Sequence, residues 1–139
     1  MPARDLYHDA VVHALIADGW QITHDPLSLS YGGKDLYVDL GAERVTIAAE
    51  KEGQKIAVEI KSFLGASLMH DLEEAVGQYH VYRSVLAEIE ADRQLYLAVA
   101  RRVYEGLFTE RFGQLIRTSL RLRLIVFDEQ RERIVLWIP

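Results

Sequence analysis

Two charged residues interrupt an apolar strand pattern near the middle of the chain. Glu59 and Lys61 stand two positions apart in residues 56–61, where every other residue is Ile, Val or Ala. Because side chains alternate between the faces of a strand, Glu59 and Lys61 point the same way. The carboxylate could hold a divalent metal and the ammonium could steady a nucleophile or a phosphate. The alternative is a solvent-facing pair, or a cross-strand ion pair on a half-exposed sheet.

Asp39 supplies a second carboxylate upstream of this strand. A carboxylate just before a hairpin and another on its second strand can converge on one point. Mg2+ prefers oxygen ligands, and Mn2+ is the alternative ion, so Asp39, Glu59 and the backbone carbonyl of Ile60 are the candidate metal ligands. Such an ion would lower the pKa of a bound water and neutralise charge in the transition state. Lys61 could act as a base, orient the water or contact the phosphate. Asp39 could instead be an ordinary turn residue.

Gln78 and Tyr82 lie four residues apart on a predicted helix over 67–90, so they share a helix face. Gln78 completes the candidate catalytic set of Asp39, Glu59 and Lys61, because its amide could bind an active-site water or DNA. The alternative is a surface glutamine beside a partly buried tyrosine.

Two further residues are secondary candidates, as Tyr82 is. His8, on the N-terminal helix, could be a third ligand or a proton carrier, or simply a hydrogen-bonded histidine. Glu43 is close enough to Asp39 in sequence to serve as a second-choice ligand.

Composition bounds the class of protein. The 139 residues suit one domain over 1–139, and half of them are apolar while 27% are charged. The absence of cysteine excludes disulfides and thiolate metal sites. The N-terminus has no apolar core of signal-peptide type, and no apolar run reaches membrane-spanning length. These features predict a cytoplasmic protein with no membrane partner.

Charge is distributed unevenly along the chain. The net charge of −5 argues against a large non-specific DNA-binding surface. Residues 101–139, however, hold eight arginines against five acids. Arginine suits bidentate contact with phosphate, so five of them are candidate DNA contacts: Arg101, Arg102, Arg117, Arg121 and Arg123. Alternatively, these arginines cap helices and pair with nearby acids.

Hydrophobic periodicity and turn residues predict the elements that carry these side chains. Helices are expected over 3–18, 67–90 and 102–118, the last with a break near Gly113. Strands are expected over 20–23, 45–49, 55–61, 95–100, 122–127 and 134–138, with a loop at 31–35. The pair at 45–49 and 55–61 forms a hairpin around the polar turn 50–54. This order predicts an α/β domain with a mixed sheet flanked by helices.

Asp39, the tripeptide 59–61 and the pair Gln78 and Tyr82 resemble the PD-(D/E)xK restriction-endonuclease-like superfamily. The N-terminal region also resembles archaeal Holliday-junction resolvases. The chain departs from these patterns at two points. His8 stands where the resolvases have glutamate, and Val38 stands where the superfamily name has proline.

The whole chain resembles the XisH family of factors that control excision of the fdxN DNA element. The resemblance rests on residues 3–5 with His8, 18–20, 25–27, 39–43, 48–51, 56–63, 77–79 with 82–83, and 95–99. It implies a role in site-specific DNA rearrangement, beside a recombinase and an XisI-like protein. A homodimer is a further option. Two activities stay open: a Mg-dependent deoxyribonuclease, or a non-catalytic interaction module with a vestigial site.

Overall fold

A six-stranded mixed sheet forms the centre of the computed structural model, which describes residues 6–44 and 53–139. In spatial order its strands are β1 (Gln21–His24), β4 (Leu40–Arg44), β5 (Gln54–Ile60), β6 (Arg93–Ala100), β7 (Leu124–Asp128) and β8 (Arg133–Ile138). The neighbours β5, β6 and β7 run parallel, and the outer pairs run antiparallel. The predicted α/β class with a mixed sheet is confirmed.

A separate hairpin of β2 (Leu27–Tyr31) and β3 (Lys34–Val38) precedes β4. Only Gly32 and Gly33 form its turn, and both have positive φ, at +58° and +78°. Two consecutive positive φ angles suit the tight turns of hairpins, and glycine reaches them without a Cβ clash. The predicted loop at 31–35 is therefore wrong, since three of its five residues belong to strands.

Helices cover both faces of the sheet. Helix α1 (His8–Ala17) packs Val11 and Leu15 against one face, where Val58 and Ile60 of β5 point. Helix α2 (Leu68–Ile89) and the β2–β3 hairpin cover the other face, towards which Ala57 points. Burying side chains of this size stabilises the fold by roughly 1.5–3 kcal/mol each. This two-sided burial fixes the direction of every side chain on β5.

The predicted helix over 67–90 is observed as α2. Ser67 caps it, because its hydroxyl accepts a hydrogen bond from the His70 N–H at 3.1 Å. The predicted first helix is observed from His8, and residues 3–5 lie outside the described ranges.

The segment after β6 is not one helix interrupted near Gly113. It comprises α3 (Arg101–Val103), a π-helical turn (Tyr104–Phe108) and α4 (Arg111–Ser119), so the interruption falls before Gly113. Gly113 is instead a point of close packing, since a Cβ there would overlap the carbonyl oxygen of Leu107. A glycine demanded by a close approach looks, in the sequence alone, like a helix breaker.

The antiparallel neighbour of β5 is β4, a strand that the sequence reading did not identify. The predicted strand at 45–49 lies outside the described residues. β4 was missed because Gly41 and Ala42 weaken the apolar alternation on which the prediction depends. Among the described residues, no helix is both long and apolar enough to cross a membrane.

Candidate functional site

Asp39 and Glu59 meet at the end of β5, although 20 positions separate them in the chain. Asp39 lies between β3 and β4, and the antiparallel register of β4 with β5 brings it beside Glu59. Its N–H donates to Glu59 Oε1 at 3.2 Å, and its Oδ2 accepts from the Ile60 N–H at 2.8 Å. The two carboxyl groups therefore share one small volume.

The buried carboxyl of Glu59 has an unusual protonation equilibrium. Its pKa is raised to about 9, first by burial, then by the charge of Asp39 and a hydrogen bond between the two side chains. The Asp39 N–H and the Tyr82 hydroxyl act in the opposite direction. Near neutral pH and without a cation, Glu59 therefore carries a proton that the pair shares.

Tyr82 closes the pair from the α2 side. Burial, followed by the charges of Glu59 and Asp39, raises the pKa of Tyr82 to about 12. The hydroxyl thus stays protonated and can donate to Glu59. Gln78, one turn earlier on α2, is half-buried, and its side chain makes no hydrogen bond within the described ranges.

Lys61 faces α2, the side from which Tyr82 contacts Glu59, but an acid already binds it. Its ammonium donates to Glu74 Oε1 at 2.7 Å, and the Lys61 side chain is only 18% exposed. Glu74, Gln78 and Tyr82 follow each other at four-residue intervals, so one face of α2 carries all three. Glu74 is a site residue that the sequence analysis missed, and this spacing was the signal that could have found it.

The chain leaves β5 through a tightly held bend. Phe63 has a φ of +55°, which is uncommon for a residue other than glycine, and its ring packs edge-on against Phe108 at 6.5 Å. Asp71 Oδ2 accepts from the Gly65 N–H at 2.9 Å, and Arg102 donates to the Ser62 carbonyl at 2.9 Å. These contacts fix the backbone directly after Lys61.

The secondary candidates His8 and Glu43 make contacts away from the carboxylate pair. His8 is buried, and its Nε2 lies 2.8 Å from Asp25 Oδ1. Glu43 lies at the other end of β4, where its Oε1 is 3.5 Å from Arg93 Nη2. Neither hydrogen-bonds to Asp39 or Glu59. Glu43 therefore neutralises a buried arginine in this structure.

The five candidate DNA-contacting arginines fall into two groups. Arg101 and Arg102 follow β6, and Arg102 contacts the bend after Lys61. Arg121 and Arg123 precede β7, and Arg117 lies one turn before them on α4. The strands β6 and β7 run parallel, so the end of β6 and the start of β7 lie at opposite ends of the strands. The two groups of arginines are therefore separated by the length of a strand.

The oxygen atoms around Asp39 suit a hard cation. Ile60 directs its N–H to Asp39 Oδ2, and in a regular strand the C=O of a residue points to the same side as its N–H. Two carboxylates and a carbonyl match what Mg2+ or Mn2+ prefers. Within residues 6–44 and 53–139, no three His, Asp or Glu side chains group as metal ligands, so water and substrate would complete the shell.

Comparison with known proteins identifies the family. The family model described as XisH protein matches residues 1–135. The chain belongs to the XisH family. No curated protein matches this XisH chain.

Two crystal structures resemble this XisH chain closely. An XisH family protein from Nostoc punctiforme PCC 73102 is 39% identical, with a TM-score of 0.88 over 97% of this chain and 100% of that one. An fdxN element excision controlling factor protein from Anabaena variabilis is 42% identical, with a TM-score of 0.86 over 98% and 100%.

Proposed function

We propose that this XisH-family chain acts in the excision of a DNA element and that Asp39 and Glu59 bind a divalent cation for phosphodiester hydrolysis. The Anabaena variabilis relative is named as controlling excision of the fdxN element. The observation that carries the cation site is the contact of the two carboxyl groups at the end of β5. The PD-(D/E)xK placement stays a prediction that this function would support.

Electrostatics favour a cation at this pair. The buried Glu59 is held protonated by burial and by Asp39, and a cation would replace that proton. Asp39, Glu59 and the carbonyl of Ile60 would hold Mg2+ or Mn2+. When bound, the ion would lower the pKa of a water and stabilise negative charge on the phosphate.

The remaining site residues have roles that their positions support. Tyr82 orients Glu59 through its hydroxyl. Lys61 and Gln78 line the α2 side, where an ammonium and an amide could orient a water or a phosphate oxygen. Arg101 and Arg102 follow β6 at the edge nearest Lys61 and could contact the DNA backbone there.

A cleavage assay tests this function directly. Supercoiled, linear, single-stranded and branched DNA would be incubated with the pure protein in Mg2+ or Mn2+, and in EDTA. We expect metal-dependent cleavage that Asp39→Asn and Glu59→Gln each reduce by at least about a hundredfold, since even outer-shell changes cost 10–100-fold. Glu88→Gln, on an exposed position of α2, is the matched control and should retain activity. Equal cleavage by all four proteins would refute the proposal.

The Lys61–Glu74 ion pair favours a second candidate. A lysine bound at 2.7 Å by an acid is not free to act on a substrate. In this second function the chain is a non-catalytic interaction module, with the old site vestigial and an XisI-like protein or a recombinase as partner. Glu74→Gln separates the two. Cleavage by Glu74→Gln that is faster than cleavage by wild type supports a nuclease that Glu74 restrains. No cleavage by wild type or Glu74→Gln, together with tight binding of a partner, supports the interaction module.

A further inference from the structure

A cluster of arginines occupies the junction of α2, the end of α4 and the start of β7. We call it the arginine junction, and its members are Arg83, Arg117, Arg121 and Arg123. Arg83 joins the three elements, because its Nη1 donates to the carbonyls of Leu120 and Arg121 at 3.0 and 3.1 Å. The Leu122 N–H donates to the Arg117 carbonyl at 2.9 Å, which brings α4 onto the same turn.

The arginine junction is positively charged. Within the described part of the chain, none of the four side chains forms an ion pair with a carboxylate. Arg93, which lines a cleft together with Arg83 and Arg123, differs because Glu90 and Glu43 bind it. Like charges on one surface repel one another, and a bound anion reduces that repulsion.

Two buried nitrogens near the arginine junction have no hydrogen-bond partner within the described residues. Of the three buried side-chain nitrogens without a partner in the described residues, two belong to this region: Arg117 Nε and His80 Nε2. His80 Nδ1 lies 3.0 Å from Arg83 Nη2. Arginine can only donate, so Nδ1 accepts and the ring proton sits on Nε2. Both nitrogens are closed to solvent, so a ligand would contact the exposed parts of Arg121 and Arg123 and not these two atoms.

The size of the cleft and the arginine donors around it indicate which ligand it could bind. Arg83 and Arg123 line a cleft of about 170 Å³, too small for the pockets that hold drug-sized ligands. Planar guanidinium groups match the oxygen geometry of phosphate, and all the cations of the cluster are arginines rather than lysines. We propose that the arginine junction binds phosphate groups of a nucleic-acid backbone.

This inference deepens the proposed function, because it rests on DNA as partner, but it does not depend on the carboxylate site. The junction precedes β7, whereas Lys61 and Arg102 lie beyond the ends of β5 and β6. Nucleic acid bound at the junction is therefore held by a surface separate from the Asp39–Glu59 pair. Such contacts position a strand without reading its sequence.

The test measures DNA binding in EDTA, where the carboxylate site is inactive. Fluorescence anisotropy of a labelled duplex and a labelled single strand would be recorded between about 50 and 200 mM KCl. Arg117→Gln/Arg123→Gln removes two junction charges. Arg131→Gln/Arg133→Gln, in the turn before β8 and at the first residue of β8, is the control with the same change of net charge. Melting curves verify that both variants fold.

We expect the junction variant to lower the slope of log affinity against log salt by about 1.8 on duplex DNA, at about 0.9 per lost contact. The loss should be equal for different sequences, and the control should keep the wild-type slope. Inorganic phosphate and a poly-glutamate peptide serve as competitors. Equal slopes in both variants, or no wild-type binding in EDTA, overturn the inference. Release by poly-glutamate but not by excess unlabelled DNA overturns it in favour of an acidic protein segment. Cleavage in Mn2+ is scored separately and reports on the carboxylate site alone.

Discussion

The carboxylate site and the arginine junction each group side chains of one kind, acidic in the first and basic in the second. At the end of β5, Asp39 and Glu59 meet without a free cation, because the nearby Lys61 is paired with Glu74. Before β7, the side chains of Arg117 and Arg123 form no ion pair with a carboxylate among the described residues. In the proposed function the first region binds a cation, and in the further inference the second binds an anion. Where a chain leaves charges of one sign unpaired, the missing charge indicates the ligand.

The two regions differ in how deeply they bury that charge. Glu59 is only 6% exposed, whereas Arg123 is partly exposed and Arg121 is exposed. Burial makes ionisation costly, so Glu59 in the carboxylate site binds a proton and is neutral. An arginine side chain does not lose its proton in proteins, so a charged arginine is best placed near water. Stability should therefore depend on the carboxylate site and hardly at all on Arg121 or Arg123, in contrast to Arg83, which joins three elements.

The largest expected effect is on the pH dependence of stability. Because the pKa of Glu59 is raised from 4.5 to about 9, the folded state holds a proton that the unfolded state releases. That contribution is complete below about pH 4.5 and is lost as pH rises towards 9, at up to about 1.4 kcal/mol per pH unit. Urea unfolding of wild type and Glu59→Gln between pH 5 and 9 should give a falling and a nearly flat curve. Parallel curves would contradict the shift.

The second effect is stabilisation by a cation. Mn2+ that binds only the folded state should raise the unfolding free energy, by about 2.7 kcal/mol at a concentration 100-fold above Kd. Thermal melts should show this rise in wild type and Glu88→Gln and a much smaller one in Glu59→Gln. An identical response of Glu59→Gln and wild type would show that Mn2+ does not bind at Glu59.

A smaller effect is expected from Tyr82→Phe. The lost hydroxyl no longer favours the ionised form of Glu59, so its pKa should rise further and Mn2+ should bind about 10-fold more weakly. Isothermal titration calorimetry measures that change. Tyr104→Phe is the control, because the Tyr104 hydroxyl has no hydrogen bond in the described residues. Unaltered Mn2+ affinity in Tyr82→Phe would place the hydroxyl outside the metal site.

The smallest effect belongs to the arginine junction. Arg123→Gln should alter the unfolding free energy by no more than about 0.5 kcal/mol, because its side chain makes no hydrogen bond or ion pair within the described residues. Arg93→Gln is the contrasting variant. Its side chain is 2% exposed and bonds Glu90, so it should cost several times more. A large loss in Arg123→Gln would mean that the junction stabilises the fold rather than a ligand.

Sequence patterns predicted the elements with strong local signals. The apolar stripe and Ser67 predicted α2, and alternation predicted that Glu59 and Lys61 share a side, as their contacts with Tyr82 and Glu74 of α2 show. Elements with weak signals were missed. The strands β2, β3 and β4 have five residues each, and turn glycines or small residues interrupt their alternation. Short strands are specified by their neighbours more than by their own residues.

By itself, the sequence determined the identity of the chemical groups: two carboxylates, a lysine, and an arginine-rich end. It also determined which side of β5 carries Glu59, because alternation is a local property of a strand. The tertiary structure alone decided the partners. Strand register placed Asp39 against Glu59, helix docking gave Lys61 to Glu74, and chain packing brought Arg83 to the carbonyls of Leu120 and Arg121. Such contacts join residues 13 to 38 positions apart, and no local pattern encodes a distance across a fold.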